Sequence, residues 1–209
     1  MAGNARRRVV ANISLSLDGR IKGLGGDYDM GWIVPHAVTD AARDNMVRVI
    51  TPGTTALMGR KNYEGFRSYW PAVADDPDAD PRDRAFASWA GSVDKVVFSR
   101  TLAGVPQDPP GAGDQPWGDA RVTDVDPATE VAALRARPGG DIIVLSSASV
   151  IQALLEAGEV DVLSITLCPV VVGGGETLLR DGLPSSQWRL AESTATESGA
   201  ICLRYELTR

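Results

Sequence analysis

The 209-residue chain sets 21 lysines and arginines against 27 aspartates and glutamates, a net charge of −6, so it lacks the basic surplus of a general nucleic-acid binder. Hydrophobic residues at 44% and charged residues at 23% argue against a disordered chain. One histidine, His36, and two cysteines, Cys168 and Cys202, exclude a zinc site built from several of either and any mechanism that needs two histidines.

The length fits one domain over residues 1–209. Arg6, Arg7 and Arg8 precede VVANISLSL in the manner of a secretion signal, but Asn12 and two serines break the run and Asp18-Gly19 ends it. No stretch approaches the roughly 20 apolar residues of a membrane span. The expected location is a reducing cytoplasm, with both cysteines as inert buried thiols.

In chain order, residues 9–15 read as a first strand, followed by a glycine-rich segment over 18–31 that is long enough to suggest function. Pro35 opens a helix to about residue 50, ended by Thr51-Pro52-Gly53. A buried strand over 54–58 leads into a helix opened by Gly59, Arg60, Lys61 and Asn62. The run DDPDADPRDR at 75–84 reads as an exposed loop, 84–90 as a short helix and 95–99 as a strand. Proline and glycine make 103–119 a loop, and an acidic start at Asp126-Pro127 begins a helix to about residue 137. A strand over 141–145, a helix over 148–157 and a strand over 160–168 follow, and 188–193 and 200–207 alternate like an antiparallel pair. Strands alternating with helices predict an α/β sandwich of three layers around a mostly parallel sheet, whose ligands bind beyond the carboxyl ends of the strands.

Three predicted strand ends carry candidate ligand groups. Gly59 admits a close approach to the backbone, with Arg60 and Lys61 at a helix start; Ser99-Arg100 sets a hydroxyl beside a guanidinium; Ser146, Ser147, Ala148 and Ser149 open another helix. Free N–H groups, helix dipole and cations together favour phosphates, although serines before a helix are also ordinary N-caps. Their recurrence along one edge describes a site for a nucleotide with several phosphates.

SLDGRI, LMGRKNYE, KVVFSRT, IIVLSSASVIQALLEAGEVD and CPVVVGGGETLL, in that order, resemble the dihydrofolate-reductase-like family that includes the reductase domain of the bacterial riboflavin-biosynthesis deaminase/reductase. The resemblance covers about residues 8–209. It implies a dihydrofolate-reductase-like α/β/α sandwich with a C-terminal antiparallel strand, NADPH as cofactor and a homodimer. It places Gly59, Arg60, Lys61 and Asn62 at the phosphates, Ser99 and Arg100 around the adenosine 2′-phosphate, and Thr166 in the substrate pocket. Ser146-Ser147 stand where most relatives carry two glycines, Asp161-Val162 stand where relatives often read Asp-Glu, and the resemblance is to the reductase part alone, so a deaminase domain is not expected within residues 1–209.

The implied activity is reduction of a small planar heterocycle, pterin-like or resembling 5-amino-6-ribosylaminouracil. The alternatives are a flavin-using relative, suggested by the serine pair, and a nucleotide-binding protein without turnover. Candidate proton donors are Asp18, also readable as an Asp-Gly turn residue, and Asp40 and Asp44, which share one helix face and also fit solvated positions. Trp32 and Tyr28 could stack on a flat ring or anchor the loop, and His36 reads as a polar residue at a helix start.

Overall fold

In the computed structural model, which describes residues 6–101 and 120–209, the alternation of the first strand, β1 (Val9–Ser16), divides the interior in two. Val9, Ala11, Ile13 and Leu15 enter one apolar cluster and Val10 the other, because successive strand side chains point to opposite faces. The same division holds for Leu57 against Ala56 and Met58 on β3 (Gly53–Gly59), and for Ile142 and Val144 against Ile143 and Leu145 on β6 (Asp141–Leu145). One cluster is closed by α5 (Pro127–Arg135) and α6 (Ala148–Glu156), the other by α2 (Asp40–Ile50), α3 (Arg60–Asp75) and α4 (Pro81–Ser92).

The sheet runs β5-β4-β3-β6-β1-β7-β10-β9, with β4 (Asp94–Phe98), β5 (Arg121–Thr123) and β7 (Val162–Cys168) completing a parallel block of six. The expected terminal pair forms as β9 (Gln187–Ala195) and β10 (Ile201–Thr208), with β10 antiparallel to both of its neighbours. Two short strands, β2 (Arg20–Lys22) and β8 (Glu176–Thr177), pair outside this sheet. This is the α/β fold expected from the sequence, with a mostly parallel sheet and a C-terminal antiparallel strand.

Several boundaries differ from expectation for local physical reasons. The helix predicted from Pro35 splits into α1 (Val34–Ala37) and α2, because Thr39 turns extended at ψ 156° and its hydroxyl accepts the Ala42 N–H at 3.4 Å. The charged run at 75–84 is a loop only over 76–80: Asp80 accepts the Arg82 N–H at 2.8 Å and Pro81 occupies the first turn of α4. The short strands β2, β5 and β8 add to the predicted elements, and the predicted loop at 103–119 lies outside the described residues.

At the amino-terminal edge of the sheet the arginines before β1 form a clamp. Arg7 is 6% exposed and donates to Gly140 O at 2.8 Å, Leu134 O at 3.1 Å, Thr54 Oγ1 at 3.1 Å and Thr55 Oγ1 at 2.6 Å. Arg8 pairs with Asp141 at 2.7 Å, and Arg135 donates to Arg7 O at 3.1 Å and to Asp161 at 2.6 Å. These charges fix strand ends.

Candidate functional site

At the carboxyl edge β3 and β6 are neighbours, yet the chain leaves them toward opposite faces, α3 to one and α6 to the other. A parallel sheet opens a crevice where successive connections diverge in this way. Gly59 closes β3 and opens α3; Ser146 and Ser147 join β6 to α6.

Ser147 is 4% exposed and does not cap α6. Its hydroxyl donates to Leu145 O at 2.9 Å and accepts the Gly59 N–H at 2.9 Å, tying the two strand ends together. The first turns of α3 and α6 therefore both lack a side-chain cap, whereas Thr39, Asp80 and Asp126 cap α2, α4 and α5. The ordinary N-cap reading of Ser147 is thus corrected. Ser146 is exposed at φ 45°, the one positive-φ residue other than glycine among the described residues. That geometry turns the chain from strand to helix at a cost that glycine would avoid.

Gly59 is not required by internal packing. A Cβ there would meet Ser149 Oγ at 3.9 Å and Ser147 Oγ at 4.0 Å, ordinary contacts, and its φ of −76° suits any residue. The space of a methyl group stays open beside two hydroxyls and two uncapped helix starts, a fit for a phosphate-bearing cofactor.

The other predicted cofactor residues divide between this edge and internal bracing. Asn62 donates one amide N–H to Leu145 O at 3.1 Å, which braces β6 and leaves its second N–H for a ligand. Arg60, exposed, reaches Glu64 at 2.7 Å and Thr101 Oγ1 at 3.2 Å; Lys61, exposed, pairs with Asp27. Ser99 is buried beyond β4, its N–H bonded to Thr123 O at 2.9 Å and its hydroxyl 3.4 Å from Thr101 Oγ1; Arg100 is exposed on the following turn. Ala148 packs against the α5–α6 cluster and Ser149 is exposed.

The predicted acids are engaged in structural bonds. Asp18 accepts Ser16 Oγ at 2.7 Å, Val172 N at 3.0 Å and Gly173 N at 3.0 Å, and lies 3.4 Å from Arg20 Nε. The Ser16 hydroxyl, followed by those backbone N–H groups, holds its carboxyl well below the usual range. These bonds engage Asp18 as a turn carboxylate, the structural alternative that its Asp-Gly sequence also offers. The side chains of Asp40 and Asp44 are 73% and 64% exposed and both pair with Arg82 of α4. They stitch helices together, as the solvated reading of the sequence allowed. His36 Nδ1 lies 2.8 Å from Ser198 Oγ, tying α1 to the β9–β10 turn.

Beyond Thr166, which the resemblance implies, β1 and β7 carry further polar positions on the same face. Strands buried on both faces are normally apolar throughout. Here β1 and β7 set Asn12 opposite Ser164, Ser14 opposite Thr166 and Ser16 opposite Cys168, on the face that Val10 and Val162 share with α2. Asn12 reaches Met46 of α2 at 3.7 Å. Thr166 is half-buried with its hydroxyl 4.0 Å from Cys202 Sγ, and burial pushes the Cys168 thiol up to about 11, so both sulfurs stay protonated. The signal in the sequence was the polar half of the β1 alternation. Ahead of α1, Trp32 is half-buried, and among the described residues its Nε1 is the fully buried side-chain polar atom left without a hydrogen-bond partner. An unmet buried N–H costs about 1–3 kcal/mol, so a ligand acceptor is a natural complement.

Fold and edge together define an α/β protein of the dihydrofolate-reductase type: a dihydrofolate reductase from Enterococcus faecalis complexed with NADP(H) superposes with a TM-score of 0.60 at 15% identity, over 98% of each chain. More narrowly, the RibD C-terminal domain family matches residues 7–202, and the chain belongs to that family. A putative riboflavin biosynthesis protein from Shewanella sp. PV-4 superposes with a TM-score of 0.69 at 21% identity, over 97% of this chain and 99% of its own. The uncharacterized protein YyaP of Bacillus subtilis (strain 168) is 26% identical over 200 residues, 96% of this chain and 95% of its own.

Proposed function

We propose that the chain is an NADPH-dependent reductase of a small planar heterocycle, pterin-like or a ribosylaminouracil-like pyrimidine. The observation that carries this is the pair of uncapped helix starts at Gly59 and Ser147, on opposite faces of one crevice. Membership of the RibD C-terminal domain family supports a reductase, and the Enterococcus reductase complexed with NADP(H) supports the cofactor.

In this reading the N–H groups of α3 and α6, with Arg60 and Lys61, hold the pyrophosphate, while Ser99 and Arg100 receive the adenosine 2′-phosphate. The bound nicotinamide supplies a hydride. Trp32 donates its indole N–H to a substrate acceptor, and Ser14 and Thr166 orient the ring. With Asp18 held ionised and Asp40 and Asp44 paired to Arg82, the proton comes from water within the site. The lack of a poised acid among these three favours a second reading, nucleotide binding without turnover.

A homodimer and a cytoplasmic location complete the proposal. Leu163 is buried in the α5–α6 cluster and Ile165, Leu167 and Tyr205 pack against it, while toward the sheet edge Ile201 of β10 and Leu190 of β9 are 39% and 48% exposed. A second copy is the proposed cover for this apolar surface, and a monomer by light scattering at micromolar concentration contradicts it.

Titration of NADPH against tryptophan fluorescence is expected to saturate; its failure to do so contradicts the cofactor assignment. Turnover with a panel of dihydropterins and aminopyrimidines then separates an enzyme from a binding protein.

A further inference from the structure

Four charges of alternating sign link β8, β2, the glycine-rich loop and α3. Glu176 of β8 pairs with Lys22 of β2 at 2.9 Å, Lys22 pairs with Asp27 of the glycine-rich loop at 2.8 Å, and Asp27 pairs with Lys61 in the first turn of α3. The loop follows β1 and α3 follows β3, and β6 lies between those strands. The Asp27–Lys61 pair thus joins the segment after β1 to the start of α3, which follow strands on either side of β6, the strand that ends at Ser146 and Ser147.

One side of the loop rests on the Gly174-Gly175 turn, where an added Cβ would meet Leu24 at 2.9 Å and the Gly23 carbonyl carbon at 2.7 Å, and its backbone hydrogen bonds are local. Gly23 N bonds Asp29 O at 2.9 Å, Gly25 N bonds an Asp29 carboxylate oxygen at 2.9 Å and Asp29 N bonds Gly26 O at 3.2 Å, all within the loop itself. Leu24 and Tyr28 are 85% and 73% exposed. Lys22 and Lys61 together bring the Asp27 carboxyl down to about 2, so it is an anion at any physiological pH.

We propose that Asp27 is a built-in competitor for the cofactor's phosphates: its carboxylate occupies Lys61 and straps the loop of residues 23–31 over the crevice until a phosphate takes the lysine. This deepens the functional reading above and rests on it for the identity of the phosphate. Once displaced, Asp27 keeps Lys22 as a partner, so the strap opens at one end while β2 and β8 stay in place. Asp27 thereby sets how tightly the cofactor is held and how fast it leaves.

Asp27→Asn tests this against wild type and against Asp78→Asn, which removes one negative charge from the exposed 76–80 loop. In ligand-free protein, amides of residues 24–30 should exchange faster in Asp27→Asn than in the other two. Titrated at low salt with NADPH and, separately, with inorganic pyrophosphate, Asp27→Asn should bind about two- to fivefold tighter than wild type, the range of an exposed ion pair. Asp78→Asn should match wild type.

Unchanged exchange overturns the strap. Unchanged or weaker binding in Asp27→Asn, or an equal gain in Asp78→Asn, overturns the competition. If wild type binds pyrophosphate but not NADPH, the functional reading fails while the pyrophosphate comparison still decides the competition. If it binds neither, both fall.

Discussion

The two edges of the parallel sheet are built by opposite rules. At the amino-terminal edge polar groups are engaged: Arg7 spends its guanidinium on four acceptors, and Asp161 takes Val9 N at 2.8 Å together with Arg135 and Arg209. A cavity of about 280 Å³ there is lined by Arg8, Asp161 and Glu206, groups already in ion pairs, and so belongs to the clamp. At the carboxyl edge Ser147 forgoes its helix, Gly59 lacks a side chain its surroundings would tolerate, Ser146 bears a strained φ, and the Trp32 N–H goes unmet. In the proposed function, local stability is complete at the edge that only folds and withheld at the edge that would receive the cofactor.

The largest expected effect sharpens that contrast from the structural side. Arg7→Met removes a buried charged donor from four acceptors and should lower unfolding free energy by roughly 3 kcal/mol in a denaturant titration, with NADPH affinity of the folded protein unchanged. A comparable loss of affinity would show that the two edges are coupled.

Arg100→Ala should weaken NADPH binding by about 1.5–3 kcal/mol, the scale of a charged hydrogen bond, with little change for NADH. Equal losses for both cofactors would remove the 2′-phosphate from the account of this edge.

Asp18→Asn should have the smallest effect on activity. A carboxylate whose folded pKa is depressed contributes stability above its unfolded value, about 3.9, and loses that contribution as pH falls through the folded value. Between about pH 5 and 8 the wild-type group is ionised throughout, so the variant should keep the pH profile of turnover while the amides of Val172 and Gly173 exchange faster. A basic limb that disappears in the variant would restore Asp18 as a proton donor.

Much of the architecture was legible because it follows from short-range chemistry. The apolar run at 141–145 is β6, and the order of strands and helices was readable from periodicity and from Pro and Gly stops. The errors fell where local signals competed. Asp80-Pro81 is a helix start, but the charge around it read as loop, and Thr39 interrupts an otherwise continuous helical pattern. The three-residue strands β2 and β5 take their identity from partners that no local window contains.

At the site the limit was long-range contact. That glycine, serine and cations recur after strands was visible; that Ser147 serves Gly59, 88 positions away, was not. The brace from Asn62 to Leu145 O is a contact 83 positions apart, and the polar stripe of Asn12, Ser14 and Thr166 exists only through the register of β1 with β7. The structural partners of the aspartates, Val172 and Gly173 for Asp18 and Arg82 for Asp40 and Asp44, are likewise distant in the chain.

The claim that the carboxyl edge is left open for a phosphate-bearing cofactor is tested most directly by Gly59→Ala, followed by thermal melting and NADPH titration. The account predicts a melt within about 0.5 kcal/mol of wild type, because the nearest atoms to the new methyl lie at 3.9 and 4.0 Å, and an NADPH affinity at least about tenfold weaker. Wild-type affinity in a folded Gly59→Ala protein would contradict it.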